Sequence, residues 1–294
     1  SDPEFVIKNR SHFFQPFITY TSLSSKAFSA KSVPSGFAFS VAGPAIFPDS
    51  VSRESLLCFL CSKPMVTFWH TINPTLGFQI SDLELVPFDR EVYSRQETEI
   101  QSVYDGVLSN AKSDWDAYET SWDFTTLPLL SPDHRSETLE GTYTTLRAHW
   151  QSMTDEMQRL EEENNRIFID AYGLQDELTP EVPIEEITLT CNPAYRYGVK
   201  GSEADRETRL RADTMAEFLS YAVGCMFGRY SLDAPGLVLA NQGDGLADYL
   251  ARVPEPTFMP DAQNVIPVLD GDWFADDITE RFRKFLRVTF GEAK

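Results

Sequence analysis

The tetrapeptide Asn192-Pro193-Ala194-Tyr195 is the part of the sequence that comes nearest to a known reaction centre. Enzymes that methylate the exocyclic amine of a base hold the flipped base in a loop of the form (Asn/Asp/Ser)-Pro-Pro-(Tyr/Phe). Here Ala194 replaces the second proline. A methyl donor would also need a glycine-rich turn between a strand and a helix, and every glycine before residue 192 is isolated. We therefore predict a structural turn after a strand and no catalytic residue.

Two other clusters of reactive side chains also favour structural roles. Asp270-Gly271-Asp272, followed by Asp276 and Asp277, lacks the spacing of a calcium-binding loop, and the acidic N-terminus of a helix explains it better. Cys58 and Cys61 form a single C-x-x-C pair without the further ligands that zinc requires. We predict buried thiols and no metal site.

The segment from Thr19 to Lys31 is the one stretch with the chemistry of DNA contacts. Hydroxyl groups donate to phosphates and base edges, and lysine neutralises phosphate. An edge strand that is protected by lysine explains the segment equally well. The candidate DNA-binding residues are Lys8, Arg10, Thr21, Ser24, Ser25, Lys26, Lys31 and Gln79.

Charge is distributed unevenly along the chain. The formal net charge of −20 argues against a protein that coats nucleic acids non-specifically. Between Val6 and Pro48, however, there are four basic residues and no acidic one, whereas residues 91–294 carry 18 basic and 38 acidic residues. The two ends are therefore expected to face different partners. An acidic surface that serves only solubility is the alternative for the C-terminal part.

Length and hydropathy predict a cytoplasmic protein whose core is divided between two or three units. The chain has 294 residues, of which 42% are hydrophobic. No apolar run approaches the roughly 18–20 residues that span a bilayer, and we find no signal peptide. Ser1 to Phe5 are interpreted as a cloning-vector scar.

Periodicity predicts an α+β fold. Strands are expected at Phe17–Thr21, Gly36–Val41, the end of segment 71–80 and Ile187–Thr190. Helices are expected from Ser52 to Pro64 and at residues 91–112, 204–227 and 277–290, with a loop-rich region over 236–274.

The most regular signal is an apolar repeat at alternating steps of four and three residues, which we call the heptad seam. It comprises Leu139, Tyr143, Leu146, Trp150, Met153, Met157, Leu160, Asn164, Ile167 and Ala171. Such a seam predicts one long helix that needs a partner, and residues 91–112 are expected to pack antiparallel against it. Gly173 is expected to end the helix.

These elements predict three parts after the scar. A mixed, strand-rich unit is expected over residues 6–90, a long antiparallel helical spacer over 91–173, and a helix-rich C-terminal unit over 174–294.

Five segments carry a resemblance to a known family: residues 114–124, 162–174, 186–190, 227–233 and 277–290. Together they resemble PglX-type adenine-specific DNA methyltransferases of the BREX phage-defence system and related type II restriction–modification enzymes. The resemblance covers nearly the whole chain after residue 6. It implies that residues 6–90 are the later half of a target-recognition domain, since segments 17–21, 34–39 and 73–80 occur in that order.

The same resemblance implies double-stranded DNA as the partner and site-specific adenine N6 methylation as the parent activity. S-adenosylmethionine is the implied cofactor of the parent enzyme, with none in this fragment, because the family places its donor turn and catalytic tetrapeptide upstream. The alternative is a protein-interaction module that docks other phage-defence subunits through its acidic C-terminal region.

Overall fold

A computed structural model describes residues 9–23, 28–75, 77–271 and 273–291. The chain forms two compact units. The first contains Ser1–Ser109 and Glu156–Pro183, and the second contains Asn110–Asp155 and Ile184–Lys294. Each of these units is defined by packing and combines two separate stretches of the chain. The predicted division into consecutive parts, with boundaries near residues 90 and 173, stays a prediction. Within the described ranges, no helix is long and apolar enough to cross a membrane.

The first unit begins with a short 3-10 helix, Arg10–His12, and a small antiparallel sheet. The sheet contains β1 (Phe17–Tyr20), β2 (Ala30–Val33) and β3 (Ala45–Ile46) in the order β2-β1-β3. Because side chains alternate along a strand, Ile18 and Tyr20 enter the core while Thr19 lies on the opposite face.

Two strand predictions in this unit were wrong. Residues 36–41, all described, form turns and a single bridge, and the strand that pairs with β1 lies earlier, at 30–33. The end of segment 71–80 makes one bridge at Gly77 and then enters a helical turn. The unit is α+β, but its sheet is much smaller than a strand-rich unit would have.

Three helices follow the sheet: α1 (Arg53–Leu60), α2 (Lys63–Ile72) and α3 (Ile80–Leu83). Ser52 caps α1 as predicted, because its side chain accepts from the N–H of Ser55. Pro64 does not end that helix; it lies in the first turn of α2, where a missing N–H costs no hydrogen bond. The helix α2 was therefore missed in the sequence.

The two long helices are α4 (Arg90–Asp116) and α5 (Leu139–Ala171), which confirms both helix predictions. On α5, the seam residues from Leu146 to Ile167 are buried. In the first unit the rings of Tyr93 and Phe168 lie 5.8 Å apart, and Gly106 approaches Leu160. These contacts run in opposite chain directions, so the helices are antiparallel.

A short segment after α5, residues 179–182, is held in the first unit through its backbone. The Lys63 ammonium donates to the carbonyl of Thr179 at 2.9 Å and to that of Glu181. From α5, the amide of Asn165 donates to the Pro180 carbonyl. The side chains of Gln158 and Glu162 bond the carbonyl and the N–H of Val182, respectively. Side chains therefore recognise peptide groups along this segment.

The second unit contains α6 (Pro193–Tyr197), α7 (Glu203–Met226), α8 (Leu246–Arg252) and α9 (Ile278–Phe290), with 3-10 turns at Pro128–Leu130, Pro132–His134 and Ile184–Glu186. The helices α7 and α9 confirm their predictions. Ser202 and Asp205 form a capping box at the start of α7, and Asp277 caps α9. The helix α8 was missed inside a region expected to be loop.

Aromatic packing fills the core of the second unit. Tyr221 and Tyr230 stack with ring centroids 4.9 Å apart, and the Tyr230 hydroxyl donates to Glu119. Phe218 on α7 packs against Phe285 on α9. The predicted strand at 187–190 is wrong: these residues, all described, follow a 3-10 turn and then turn again, because the N–H of Leu189 donates to the Ile187 carbonyl and that of Asn192 to the Leu189 carbonyl.

Replacement of Gly224 by alanine tests the aromatic core. A β-carbon at this position would lie 2.6 Å from Cδ2 of Tyr230, whose ring is fixed by its stack on Tyr221. We expect Gly224→Ala to lower the free energy of unfolding by about 1–3 kcal/mol in urea titrations, although alanine favours helix. Ser220→Ala, at an exposed position of the same helix, is the control and should change it little. Equal losses for both variants would contradict the contact.

Candidate nucleic-acid interface

The face of the sheet that points away from the core contains the lysine candidate. Thr19 and Lys31 are direct partners in the β1–β2 pairing, so their side chains share this face. Lys31 is exposed, while the hydroxyl of Thr19 donates to the Pro44 carbonyl at 2.9 Å. Lys31 is thus exposed next to the Thr19 hydroxyl, whose proton is already donated to the Pro44 carbonyl.

Thr21 and Gln79 are brought together at the end of the same face. Leu23 pairs with Gly77, and the N–H of Phe78 donates to the Ser22 carbonyl at 2.8 Å. In this antiparallel register Thr21 lies opposite Gln79, and both are exposed. Thr21 and Gln79 are far apart in the sequence, yet this register places a hydroxyl and an amide opposite each other.

The 3-10 helix that contains Arg10 is joined to this side of the sheet through aromatic contacts. The ring of His12, in the same 3-10 helix, lies 4.8 Å from that of Phe47. Phe47 in turn packs on Phe17, whose side chain shares the face of Thr19. Arg10 is exposed and precedes His12 by two residues. The candidates Lys8, Ser24, Ser25 and Lys26 lie outside the described residues.

A groove on this face was not foreseen from the sequence. It has a volume of about 450 Å³ and is lined mainly by apolar side chains, with the hydroxyls of Thr19 and Ser40: Phe17, Thr19, Val33, Phe37, Ala38, Phe39, Ser40 and Gly43. Residues 36–41 line it because they fold over the sheet, whereas the sequence suggested that they would be a strand of it. The only hint in the sequence was the alternation of Phe37 and Phe39, which puts both rings on one side of the segment. That pattern fits a strand of the sheet as well as a segment folded over it.

The tetrapeptide that looked like a base-holding loop has its asparagine engaged elsewhere. Asn192 is 1% exposed and caps α6, because its Oδ1 accepts from the N–H of Ala194 at 3.0 Å. Its Nδ2 donates to the carbonyls of Ile184 and Ile187 at 2.7 and 2.9 Å. The tetrapeptide therefore opens a short helix, and the amide that would hold a base is used within the fold.

The residues before this tetrapeptide are held by a carboxylate that the sequence did not single out. Asp114 on α4 is buried, and its two oxygens accept from the N–H groups of Thr190 and Cys191 at 2.6 and 2.9 Å. These bonds replace the strand partner that the predicted strand at 187–190 would have needed. A carboxylate directly before Trp115, near the end of an amphipathic helix, gives no signal of such a contact in the sequence.

The cysteines do not assemble a metal centre. In the described part of the chain, no group of three or more His, Cys, Asp and Glu could hold a metal ion. Cys58 is buried, and burial raises the pKa of its thiol to about 12. Cys191 and Cys225 are buried as predicted, but Cys61 is exposed because it lies in the polar turn after α1.

Comparison with known proteins gives homologues among the adenine-specific methyltransferases. No family model matches the chain. It is 32% identical over 290 residues to the adenine-specific methyltransferase BrxX of Escherichia coli O9:H4 (strain HS), and 35% identical over 288 residues to the adenine-specific methyltransferase PglX of Lacticaseibacillus casei (strain Zhang). These matches cover 97% and 95% of the chain. The resemblance seen in the sequence is confirmed.

The chain spans only 23% of the length of BrxX and 21% of the length of PglX. The similarity thus concerns one segment of these relatives and extends through both units of the fold.

Replacement of Asn192 by alanine distinguishes a structural from a catalytic asparagine. The carbonyls of Ile184 and Ile187 would each lose one of two donors, and the N–H of Ala194 would lose its acceptor. A buried polar group that is left unsatisfied costs about 1–3 kcal/mol. We expect Asn192→Ala to lower the free energy of unfolding by about 2–4 kcal/mol in urea titrations. Tyr195→Ala, at a half-exposed side chain of the same helix, is the control and should cost much less. A stability unchanged by Asn192→Ala would contradict the structural role.

Proposed function

We propose that this chain is a DNA-recognition and helical-spacer segment of a site-specific adenine N6 DNA methyltransferase of a bacterial phage-defence system. The similarity of 95–97% of the chain to two adenine-specific methyltransferases carries this proposal. Since the chain spans less than a quarter of either relative, the methylation reaction is assigned to the larger enzyme and not to these residues.

The outer face of the sheet supports the recognition role. It collects an arginine, a lysine, a hydroxyl and an amide: Arg10, Lys31, Thr21 and Gln79. Arginine and lysine neutralise phosphate, while threonine and glutamine donate to phosphates and base edges. Residues 9–48 contain no acidic side chain, although the chain as a whole has a net charge of −20. Phosphate groups can approach this face without meeting a carboxylate from that segment.

The helices support the spacer role. The helix α4 has 27 residues and α5 has 33, so at 1.5 Å per residue they are about 40 and 50 Å long. In the first unit, their antiparallel contacts help to bury the heptad seam. Helices of this length are suited to separate a recognition surface from other parts of an enzyme.

S-adenosylmethionine is the cofactor that we propose for the larger enzyme. The glycine-rich donor turn has no counterpart before residue 192, and Asn192 is bonded within its own unit. We assign donor binding to residues outside this chain.

Salt-dependent DNA binding tests the recognition role. Duplex DNA is titrated with the chain by fluorescence anisotropy at several salt concentrations, and the slope of log affinity against log salt is measured. Each lost phosphate contact removes about one unit of that slope. We expect Arg10→Glu with Lys31→Glu to reduce the slope by about two and to weaken binding to every duplex sequence similarly.

Lys200→Glu with Lys284→Glu, at two exposed lysines in the second unit, is the control with the same change in charge, and it should leave the slope nearly unchanged. An equal effect of the two pairs would show that binding follows net charge, and would overturn the proposed face. Affinity without salt dependence, or no binding at low salt, would favour the alternative role as a protein-docking module.

Calorimetry tests the assignment of the methyl donor. We expect no heat of binding when S-adenosylmethionine is titrated into the chain at micromolar concentrations. The same sample should unfold cooperatively in urea, which shows that the protein is folded. Micromolar affinity for the donor would contradict the proposal that this segment contains no donor site.

A further inference from the structure

The groove on the outer face of the sheet is lined by aromatic rings that the fold already holds in place. Its volume of about 450 Å³ lies within the range of small-molecule sites. The ring of Phe39, which lines it, has its centroid 5.1, 5.7 and 5.5 Å from those of Phe13, Phe17 and Phe47. Because these contacts fix the ring, a ligand that packs on it would cost little conformational freedom.

An exposed aromatic ring stands on a strained backbone at the edge of this groove. The N–H of Phe14 donates to the carbonyl of Phe37, a lining residue, and the Phe14 carbonyl accepts from the N–H of Gly36. Phe14 has a φ of 65°, which glycine adopts freely and bulky residues rarely adopt, and its ring is 64% exposed. A ring in that position contributes little to the core, so its strained backbone indicates a binding role.

Unpaired positive charge adjoins the groove. Lys31 pairs directly with Thr19 and precedes Val33 by two residues on the same face of the sheet, and both of these neighbours line the groove. In the part of the chain that the structure describes, neither Lys31 nor Arg10 forms an ion pair. Residues 9–48 also contain no carboxylate that could neutralise them. The groove therefore favours a ligand that carries negative charge beside an apolar group.

A nucleotide has these two properties in one molecule. Its base offers a flat face to aromatic rings, and its phosphate offers a negative charge to lysine, which is the combination used by proteins that bind single strands. Inside a duplex both faces of a base are covered by neighbouring bases, so the base must leave the stack to enter a groove. No lining residue has an acidic, basic or thiol side chain, so the groove can hold a base but offers no group to react with it.

We propose that this groove holds one unpaired base of the DNA that the outer face binds. The base packs on Phe37 and Phe39, next to the ring of Phe14, and the phosphate of the same nucleotide lies at Lys31. This proposal rests on the proposed DNA recognition and specifies the form of the DNA: a duplex in which one base is out of the stack.

A single-nucleotide bulge tests the groove. Two duplexes of the same sequence and phosphate number are compared by fluorescence anisotropy: one has a thymine in the bulge, and the other has an abasic residue there. A fully paired duplex is the reference. Stacking of one base on an aromatic ring is strong enough that we expect the thymine bulge to bind about tenfold more tightly than the abasic bulge.

Variants separate the base from the phosphate. Phe37→Ala and Phe14→Gly should each reduce the preference for thymine to about twofold or less, whereas Phe274→Ala, at an exposed phenylalanine of the second unit, should keep it. Phe14→Gly relieves the positive φ, so its free energy of unfolding should not fall, which excludes misfolding as the cause. Lys31→Gln should weaken both bulged duplexes equally, because both contain the phosphate.

The outcomes distinguish this proposal from the DNA recognition on which it rests. Salt-dependent binding of the paired duplex with equal affinity for the two bulges would overturn the groove proposal alone. No binding of any duplex at low salt would overturn both. A preference for thymine that survives Phe37→Ala and Phe14→Gly would place the base elsewhere. A peptide of leucine and glutamate that binds more tightly than the thymine bulge, and that Phe37→Ala weakens, would assign the groove to a protein and overturn the proposal.

Discussion

Burial of the heptad seam on α5 is the constraint on which both units depend. A helix of 33 residues with one apolar stripe cannot remove that stripe from water alone, so other elements must cover it along its length. In the first unit, the amide of Asn164 donates to the carbonyl of Cys58, and Asn165 accepts from the N–H of Lys63. Asn164 belongs to the seam and Asn165 is its neighbour, so these polar contacts favour one register of α5 against α1 and α2.

In the second unit the other half of the same stripe is covered differently. Leu146 and Trp150 lie beside residues 117–118 and 127–129, with which they line a small cavity. Arg147 forms a two-point ion pair with Glu207 on α7. Asp114 adds the turn at 190–191 to this group. The single stripe thus organises α1 and α2 in one unit and α7 in the other.

The helices could be predicted from the sequence and the strands could not, for a physical reason. A helix of 13 to 33 residues repeats its apolar period several times, so α4, α5, α7 and α9 were identified with ends within a few residues. The strands have only two to four residues, and their partners are set by tertiary contacts. The runs at 36–41 and 187–190 have strand composition, but a fold over the sheet and the carboxylate of Asp114 determine their conformation.

The candidate site was predictable in part for the same reason. From the sequence, Lys31 and Thr21 have the side-chain chemistry of DNA contacts. Their common face became clear only from the structure, where Lys31 pairs with Thr19, two residues before Thr21. The proximity of Thr21 and Gln79 depends on the Leu23–Gly77 bridge, which no local pattern encodes. In the case of Asn192, the sequence predicted a turn after a strand, whereas the side chain caps a short helix and bonds within the fold.

The segment at 179–182 has a consequence for how this family can vary. Its carbonyl and N–H groups are bound by the side chains of Lys63, Gln158, Glu162 and Asn165. Every residue type offers the same carbonyl, so substitutions within the segment leave the bonds that it accepts intact, while changes at the four side chains remove them. Substitutions should therefore accumulate quickly at residues 179–182 and slowly at the four side chains that bind them. An alignment of homologues would show this difference in variability position by position.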